Sequence, residues 1–251
     1  MKWKKIGDIL VLDKNQENLS KEFLEDLLKK HKVKSIVKID HIQGQLRKPV
    51  VELLIGDKTL TTHKENGCYF NLDLSKVMWS KGNTNERLRI AKLVKKGETI
   101  IDMFAGIGYF SIPIGVYSEA SKIYSIELNP DSFHFLKENI VLNKINKKAG
   151  YEKIKPMLGD CRKETPKLKG DRILMGYVKT THEFLPYAID SLNSGGILHY
   201  HETVPEKLLN TRPLERVKEA AKDRDVELLN TKVIKKYSPG VVHGVLDLKI
   251  N

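Results

Sequence analysis

The sequence has 251 residues, enough for one large domain or for two smaller ones with a substantial buried core. Its 44 Lys and Arg outnumber 32 Asp and Glu, and the net charge of +12 suits either a polyanionic partner such as RNA or a solubilising surface. Two isolated cysteines argue against a disulfide framework or a zinc site, and no apolar run approaches the roughly 18 residues of a membrane span. We therefore expect a cytoplasmic monomer with no metal and no membrane partner.

Short, closely spaced elements are predicted over the first 75 residues. A strand is expected at residues 6–12, and Ser20 can cap an amphipathic helix. The Asn66-Gly67 pair is typical of a tight turn between two strands. Further β-like segments lie at residues 35–39, 49–55, 59–62 and 68–72. Since this spacing leaves no room for βαβ units, residues 1–75 are predicted to form a small α+β domain.

A helix that follows this domain leads into the next strand. Asn83 or Thr84 can cap it, and it is predicted to end just before Gly97. Its position allows Ser80 and Arg87 to lie over a site at the start of the second domain, where a guanidinium can pair with a carboxylate or phosphate. The alternative is that Arg87 is a solvated helix charge.

The stretch Thr99–Ser111 has the pattern of a strand, a tight loop and a helix. Gly106 and Gly108 allow the backbone to pass close to a ligand, and the N–H groups of the helix start face it. Ser111 stands where a dinucleotide fingerprint needs its third glycine. Asp102 followed by Phe-Ala-Gly-Ile-Gly favours S-adenosylmethionine over NAD, and a strand-turn-helix without a ligand is the remaining alternative.

Strands and helices alternate from residue 99 onward. Strands are predicted at residues 99–105, 122–128, 153–159, 171–177, 197–203, 226–236 and 241–250. Helices are predicted at residues 110–119, 131–143, 181–192 and 212–223. The short joint Ser238-Pro239-Gly240 makes the last two strands antiparallel at the sheet edge. A doubly wound, mostly parallel sheet with this ending is the plan of the class I S-adenosylmethionine-dependent transferases, so residues 76–251 are predicted to form a Rossmann-like catalytic domain.

In an open α/β sheet the ligand lies outside the carboxyl ends of the strands. Glu127 can accept both ribose hydroxyl hydrogens there. Asp160 can take the adenine amino hydrogen while the N–H of Cys161 meets a ring nitrogen, or Asp160 caps the loop and does no more. The predicted cofactor-binding residues of the first strand and its loop are Asp102, Phe104, Ala105, Gly106 and Gly108.

The fourth strand of this domain ends in Met175-Gly176-Tyr177-Val178. Enzymes that methylate a base nitrogen often place an Asn-Pro motif here, so amino methylation is disfavoured. Tyr177 and His182 are candidate catalytic residues, and His199 and His201 are titratable groups that can also take up a proton. A structural role is the alternative for each histidine.

Four segments together resemble a known family. They are the His63-Lys-Glu-Asn-Gly67 turn of the small domain, Ser75–Ser80, Asn85–Arg89 and Asp102–Gly108. The family modifies the guanosine just 3′ of the anticodon of tRNA in archaea and eukaryotes, and it contains the tRNA guanine-N1 methyltransferases and the wybutosine-pathway aminocarboxypropyltransferases. The methyltransferases often carry a further N-terminal domain that grips the tRNA elbow, which is absent here, and an Asn-Pro-type motif after strand four.

The resemblance to the aminocarboxypropyl branch rests on Asp171–Val178, Thr181–Phe184 and His199–Pro205. It implies transfer of the 3-amino-3-carboxypropyl group of S-adenosylmethionine to 4-demethylwyosine in the anticodon loop of tRNA-Phe, with release of methylthioadenosine. It also implies cofactor contacts from Ser80, Arg87, Glu127, Asp160 and Cys161.

Two alternatives remain open, guanine-N1 methylation of the same nucleotide and an RNA-binding module that keeps the cofactor fold as a relic. Residues 1–75 are expected to contact tRNA. Part of the RNA surface is predicted at Lys144, Lys147, Lys148, Lys153 and Lys155.

Overall fold

The computed structural model describes the chain over residues 3–13, 15, 19–44, 46–178 and 180–251. Within these ranges the strands form sheets of four, seven and two strands. No helix in the described ranges is long and apolar enough to cross a membrane.

The four-stranded sheet lies near the N-terminus. Its strands, in spatial order, are β1 (Trp3–Ile6), β2 (Ile9–Asp13), β3 (Ser35–Gln43) and β4 (Lys48–Ile55). Helix α1 (Lys21–His31) connects the parallel strands β2 and β3, and the Ser20 hydroxyl accepts the Phe23 N–H as the predicted cap. The strand predicted over residues 6–12 is a hairpin instead, because Gly7 adopts a φ of 54° and the chain turns back there.

The next hairpin, of β5 (Leu60–Glu65) and β6 (Cys68–Asp73), forms the two-stranded sheet. Asn66 and Gly67 have positive φ angles of 48° and 75°, which confirms the predicted turn. Helix α2 (Thr84–Leu93) follows and ends three residues earlier than predicted, because Val94 is already extended. Whether a domain boundary falls near residue 75 stays a prediction.

The seven-stranded sheet carries the class I S-adenosylmethionine-dependent transferase fold that was predicted. Its strands are β7 (Thr99–Asp102), β8 (Lys122–Glu127), β9 (Ile154–Leu158), β10 (Gly170–Met175), β11 (Leu192–Pro205), β12 (Val226–Ser238) and β13 (Val241–Ile250). The spatial order is β12-β13-β11-β10-β7-β8-β9. Strands β7 to β11 pair in parallel, whereas β13 is antiparallel to both β11 and β12, as the short joint between the last two strands predicts.

Helices connect these strands on both faces of the sheet. They are α3 (Ser111–Tyr117), α4 (Pro130–Leu142), α5 (Ile145–Ala149), α6 (Cys161–Glu164), α7 (Leu185–Ser191) and α8 (Arg212–Ala221). Successive strand residues alternate between the faces, so Ile100 and Ile101 belong to two separate apolar clusters. The first cluster packs under α3 and α4, and the second under α7 and α8.

The hairpin of β5 and β6 is held against the catalytic sheet by two asparagines of α4 and its C-cap. The side-chain oxygens of Asn139 and Asn143 accept the N–H groups of Asn71 and Tyr69, and their amide nitrogens donate to the carbonyls of the same two residues. These bonds satisfy a strand edge that would otherwise be left without partners.

The prediction that Lys153 belongs to the RNA surface is wrong. Lys153 is only 9% exposed, and its ammonium donates to the carbonyls of Gly115 and Ser118 at 3.0 and 2.7 Å. It closes the C-terminal end of α3, where free carbonyls attract a cation. Lys153 is therefore a structural residue and does not face RNA.

Candidate functional site

A cavity of about 440 Å³ lies at the carboxyl ends of the parallel strands. It is next to β7 and β10, the two neighbouring strands between which the order of the strands in the sheet reverses. Eight of the predicted site residues border it, namely Ser80, Arg87, Phe104, Gly106, Glu127, Asp160, Cys161 and Tyr177. Four predicted residues do not border it, namely Asp102, Ala105, Gly108 and His182. The sheet thus brings together residues from four strand ends and from α2.

The loop after β7 brings its backbone to the cavity through two positive φ angles, 57° at Gly106 and 96° at Gly108. A Cβ on Gly108 would lie 2.5 Å from Ile112 Cγ1 and 3.1 Å from Leu136 Cδ1. Gly108 therefore allows the close packing of the loop on α3 and α4, while Gly106 faces the cavity.

We expect Gly108→Ala to lower the free energy of unfolding by about 2 to 3 kcal/mol, because a left-handed backbone and an overpacked contact add together. Gly97→Ala is the matched control, since Gly97 has a φ of 82° but no heavy atom within 4 Å of the added Cβ. It should cost about 1 kcal/mol from backbone strain alone. Urea denaturation of both variants measures the difference, and equal losses would contradict the packing argument.

Asp102 lies beneath the loop and is completely buried. Its carboxylate accepts the Ser111 hydroxyl at 2.7 Å, and Ser111 in turn accepts the Ser125 hydroxyl at 2.7 Å. Burial raises the pKa of Asp102 to about 6. In this structure the residue ties the end of β7 to the start of α3, so its effect on a ligand passes through the loop.

Glu127 at the end of β8 is held between two backbone groups. One carboxylate oxygen accepts the Gly106 N–H and the other accepts the Asn129 N–H, both at 2.7 Å. Burial raises the pKa of Glu127, against the opposing effect of these N–H donors. The fixed carboxylate borders the cavity and retains lone pairs for two ligand hydroxyls.

Asp160 follows β9 and combines a capping role with a place on the cavity wall. It accepts the Arg162 N–H as the N-cap of α6, and its carboxylate pairs with the Arg162 guanidinium at 2.5 Å. The bond from Arg162 holds the pKa of Asp160 below its usual range. Burial raises the pKa of the neighbouring Cys161 thiol to about 12, so this thiol stays protonated and is no nucleophile.

An aromatic wall joins the ends of β7 and β10. The rings of Phe104 and Tyr177 stack with centroids 5.2 Å apart, and Phe184 meets Phe104 edge-on at 5.1 Å. Such a surface suits a planar base. His182 is half-buried and does not border the cavity, and its Nδ1 has no hydrogen-bond partner among the described residues.

The opposite wall comes from α2. The Arg87 guanidinium bonds Glu65 at 2.6 Å and the Ser80 carbonyl at 2.8 Å, and it lies over the rings of Trp79 and Tyr109. Arg87 is only 1% exposed, so it is neither a solvated helix charge nor a freely moving clamp.

Two histidines of the last strands form a buried pair next to the cavity. Nδ1 of His201 lies 3.0 Å from Nε2 of His243, and His243 borders the cavity. Burial lowers the pKa of each to about 3, so both imidazoles are neutral at pH 7 and both are weak bases. His199 bonds Asp247 and Arg172 inside the sheet and lies away from the cavity.

Several residues of the cavity wall were not predicted from the sequence, chiefly Tyr109, Phe184, Lys235 and His243. Asn83 was predicted only as a helix cap, and it also borders the cavity. Tyr109 and Phe184 stand close to predicted motifs, so their aromatic character was a usable signal. Lys235 and His243 lie in the final hairpin, more than 125 residues from the glycine loop, and no motif marks them. Among the described residues no group of His, Cys, Asp or Glu is arranged to hold a metal ion.

Nearly the whole chain is similar to known proteins. Residues 61–229 match the family model of the TRM5/TYW2 methyltransferase domain, and residues 1–59 match that of the TYW2 N-terminal domain. A tRNA(Phe) (4-demethylwyosine(37)-C(7)) aminocarboxypropyltransferase of Methanocaldococcus jannaschii is 44% identical, over 99% of this chain and 98% of the relative. The tRNA (guanine(37)-N(1))-methyltransferase Trm5b of Pyrococcus abyssi is 35% identical, over 98% of this chain and 74% of the relative.

A solved structure extends the similarity to three dimensions. The crystal structure of M. jannaschii TYW2 in complex with AdoMet superposes with a TM-score of 0.81 at 39% identity, covering 100% of this chain and 99% of that one.

Proposed function

This chain belongs to the TRM5/TYW2 family, and on that premise we propose that it transfers the 3-amino-3-carboxypropyl group of S-adenosylmethionine to C7 of 4-demethylwyosine in tRNA. The observation that carries this reaction is the 44% identity with an aminocarboxypropyltransferase over nearly the full length of both chains. Identity with the guanine-N1 methyltransferase is lower and leaves a quarter of that enzyme unmatched. The protein is an S-adenosylmethionine-dependent tRNA-modifying enzyme.

The cavity fits this cofactor by the chemistry of its donors and acceptors. The Glu127 carboxylate can accept the two ribose hydroxyls, and Asp160 with the Cys161 N–H can receive adenine. The Phe104 and Tyr177 rings offer a face for the tricyclic base. These four contacts are proposals for the bound state.

Bound S-adenosylmethionine supplies an activated sulfonium, so that a bond forms from C7 to Cγ of the methionine tail as the Cγ–sulfur bond breaks, sulfur keeps the electron pair and C7 loses a proton. The protein has to hold C7 in line with the bond between Cγ and sulfur, and to keep it out of line with the bond between the methyl carbon and sulfur. Tyr177 borders the cavity and can hold the base, whereas His182 does not border the cavity. His243 borders the cavity, but its pKa of about 3 makes it too weak a base to hold this proton at pH 7, so the proton from C7 ends on water.

The anticodon loop of tRNA(Phe) is the proposed substrate, as the name of the M. jannaschii relative suggests. A second, open cavity of about 780 Å³ lies between the β1–β2 turn and β5. Lys5, Lys58 and Lys64 border it, together with Asp8, which pairs with Lys58 at 2.8 Å. Together with the net charge of +12, this basic groove supports phosphate contacts by the N-terminal region.

The reaction is tested with tRNA(Phe) that carries 4-demethylwyosine and with S-adenosylmethionine labelled either in the methyl group or in the methionine backbone. Backbone label is expected in the RNA, in an amount equal to the methylthioadenosine released. The same tRNA with unmodified guanosine is the matched control and should stay unlabelled. Methyl label in either RNA would overturn the proposal in favour of guanine methylation, and no label in either would leave only an RNA-binding protein.

A further inference from the structure

Two cationic side chains from distant parts of the chain meet at one edge of the cavity. Arg47 lies in the turn between β3 and β4, whereas Lys235 lies on β12, and both are half-buried and border the cavity. Arg47 Nε donates to the sulfur of Met78 at 3.2 Å. The Lys235 ammonium lies 3.3 Å from the Ser80 hydroxyl, two positions further along the same segment. The N-terminal region and the final hairpin therefore bring these two cations close together.

Neither of these cations is balanced by a carboxylate. The Arg87 guanidinium pairs with Glu65 at 2.6 Å, but no carboxylate of the described residues lies within ion-pair distance of Arg47 or Lys235. Burial, and then the charges of Arg47 and Arg87, lower the pKa of Lys235. Partly desolvated cations that repel each other form a binding site for anionic groups of a ligand.

The cofactor does not supply enough negative charge for both cations. S-adenosylmethionine brings one carboxylate together with an ammonium and a sulfonium, so its binding adds positive charge to the cavity. An RNA strand carries one phosphate for each nucleotide, and it can place neighbouring phosphates on neighbouring cations. The charge of this edge therefore favours the RNA backbone over the cofactor.

An exposed aromatic ring adjoins the two cations. Tyr237 is 47% exposed and borders the cavity, and within the described part of the chain it takes part in no ring contact or hydrogen bond. Lys236 is exposed and does not border the cavity, because successive residues of a strand point to opposite faces. A free ring beside a cation suits a nucleobase whose phosphate lies on that cation.

We propose that Arg47, Lys235 and Tyr237 form an anchor for the RNA strand beside the modified nucleotide. The two cations bind backbone phosphates, and the Tyr237 ring stacks on the base next to the one that enters the cavity. A base has to leave its neighbours to reach the aromatic wall inside the cavity, and the anchor holds its strand at the entrance. All three act as positioning residues. The anchor rests on the proposed function for the identity of RNA as the substrate.

The two cations are tested by binding of unmodified tRNA(Phe) to the full chain without cofactor, over a range of salt concentrations. Arg47→Met and Lys235→Met are each expected to lower the slope of log K against log salt concentration by about 0.7, the contribution of one single-strand phosphate. Arg47→Lys should keep the slope, which separates the charge from the contact with Met78. Lys236→Met is the matched control from the other face of β12 and should leave the slope unchanged.

The ring is tested in the same assay. Tyr237→Leu is expected to weaken tRNA binding about tenfold at every salt concentration without changing the slope, because stacking involves no counter-ion. Tyr237→Phe retains the ring and should bind like the unmutated protein. Equal weakening by leucine and phenylalanine would contradict stacking and overturn this part of the anchor.

Unchanged slopes in Arg47→Met and Lys235→Met would overturn the anchor. An equal loss of slope in Lys236→Met would overturn it as well, because net charge alone would then explain the effect. Calorimetric titration with S-adenosylmethionine provides the other arm, since a loss of cofactor affinity with an unchanged tRNA slope would assign the cations to the cofactor. The proposed reaction fails separately. Methyl label in the RNA would replace the transferred group and leave the slopes as they are, because both reactions need the same strand at the cavity.

Discussion

Replacement of Glu127 by glutamine is expected to weaken S-adenosylmethionine binding by about 100-fold. The carboxylate bonds the Gly106 and Asn129 N–H groups and still has lone pairs for two ribose hydroxyls. Glutamine removes the charge and turns one acceptor into a donor, which then opposes a backbone N–H. Hydrogen bonds to a charged group contribute about 1.5 to 3 kcal/mol each, so losing them reaches the expected factor.

Isothermal titration calorimetry at pH 7 measures this effect. Glu119→Gln is the matched control, because the Glu119 side chain is 72% exposed and its nearest cation lies 3.7 Å away. Affinity of the Glu127 variant within threefold of the unmutated protein would show that the ribose is held elsewhere.

The pH dependence of binding provides a second check on Glu127. Burial raises its pKa, so the carboxylate gains a proton at a higher pH than an ordinary glutamate, whose pKa is about 4.3. The ionised form binds the hydroxyls. The affinity for S-adenosylmethionine should therefore be highest above the raised pKa and fall as the pH drops through it. The glutamine variant should not show this pH dependence.

Replacement of Asp247 by asparagine is expected to lower the free energy of unfolding by about 3 to 5 kcal/mol at pH 7. Asp247 on β13 accepts His199 Nδ1 at 2.5 Å and both terminal nitrogens of Arg89, at 2.6 and 3.0 Å. Arg89 also pairs with Glu86, which is 2% exposed. The variant leaves the buried His199 and the half-buried Arg89 without their shared anion, and it removes one of the links between α2 and the sheet.

The sign of the pH effect follows from the carboxylate. Burial opposes ionisation of Asp247, but the bonds from His199 and Arg89 outweigh it and hold its pKa well below the usual range. A depressed pKa in the folded state adds stability above the unfolded value of about 3.9 and loses it as the pH falls further. The difference in the free energy of unfolding between the unmutated protein and Asp247→Asn should therefore be largest at pH 7 and become smaller below about pH 4.

Chemical denaturation at pH 7 and pH 3 measures both values. Asp223→Asn is the control, since Asp223 is exposed, and it should change stability by less than about 0.5 kcal/mol. A gap of the same size at both pH values would show that the carboxylate charge does not matter to the network.

Local patterns predicted most of the secondary structure. Ser20 caps α1, Asn66 and Gly67 make the turn between β5 and β6, and the joint before β13 makes the last strands antiparallel. Each of these features depends on a few neighbouring residues, because backbone angles, caps and strand periodicity are local properties. The prediction of one continuous strand over residues 6–12 was wrong, because the chain turns at Gly7 and the second strand begins at Ile9. The apolar residues on both sides of Gly7 gave no sign of this turn.

The residues of the candidate site also fall into two groups, those that local patterns predict and those that depend on contacts between distant parts of the chain. The glycine loop and the acidic residues that follow the strands were predictable from the sequence, since each lies at a fixed distance from a recognisable strand end. Three side-chain contacts, in contrast, depend on the folded chain. Arg87 bonds Glu65, Lys153 donates to the carbonyl of Gly115, and Lys235 lies 3.3 Å from the Ser80 hydroxyl. These three contacts join residues 22, 38 and 155 positions apart, and packing between distant elements leaves no periodic signal in the chain.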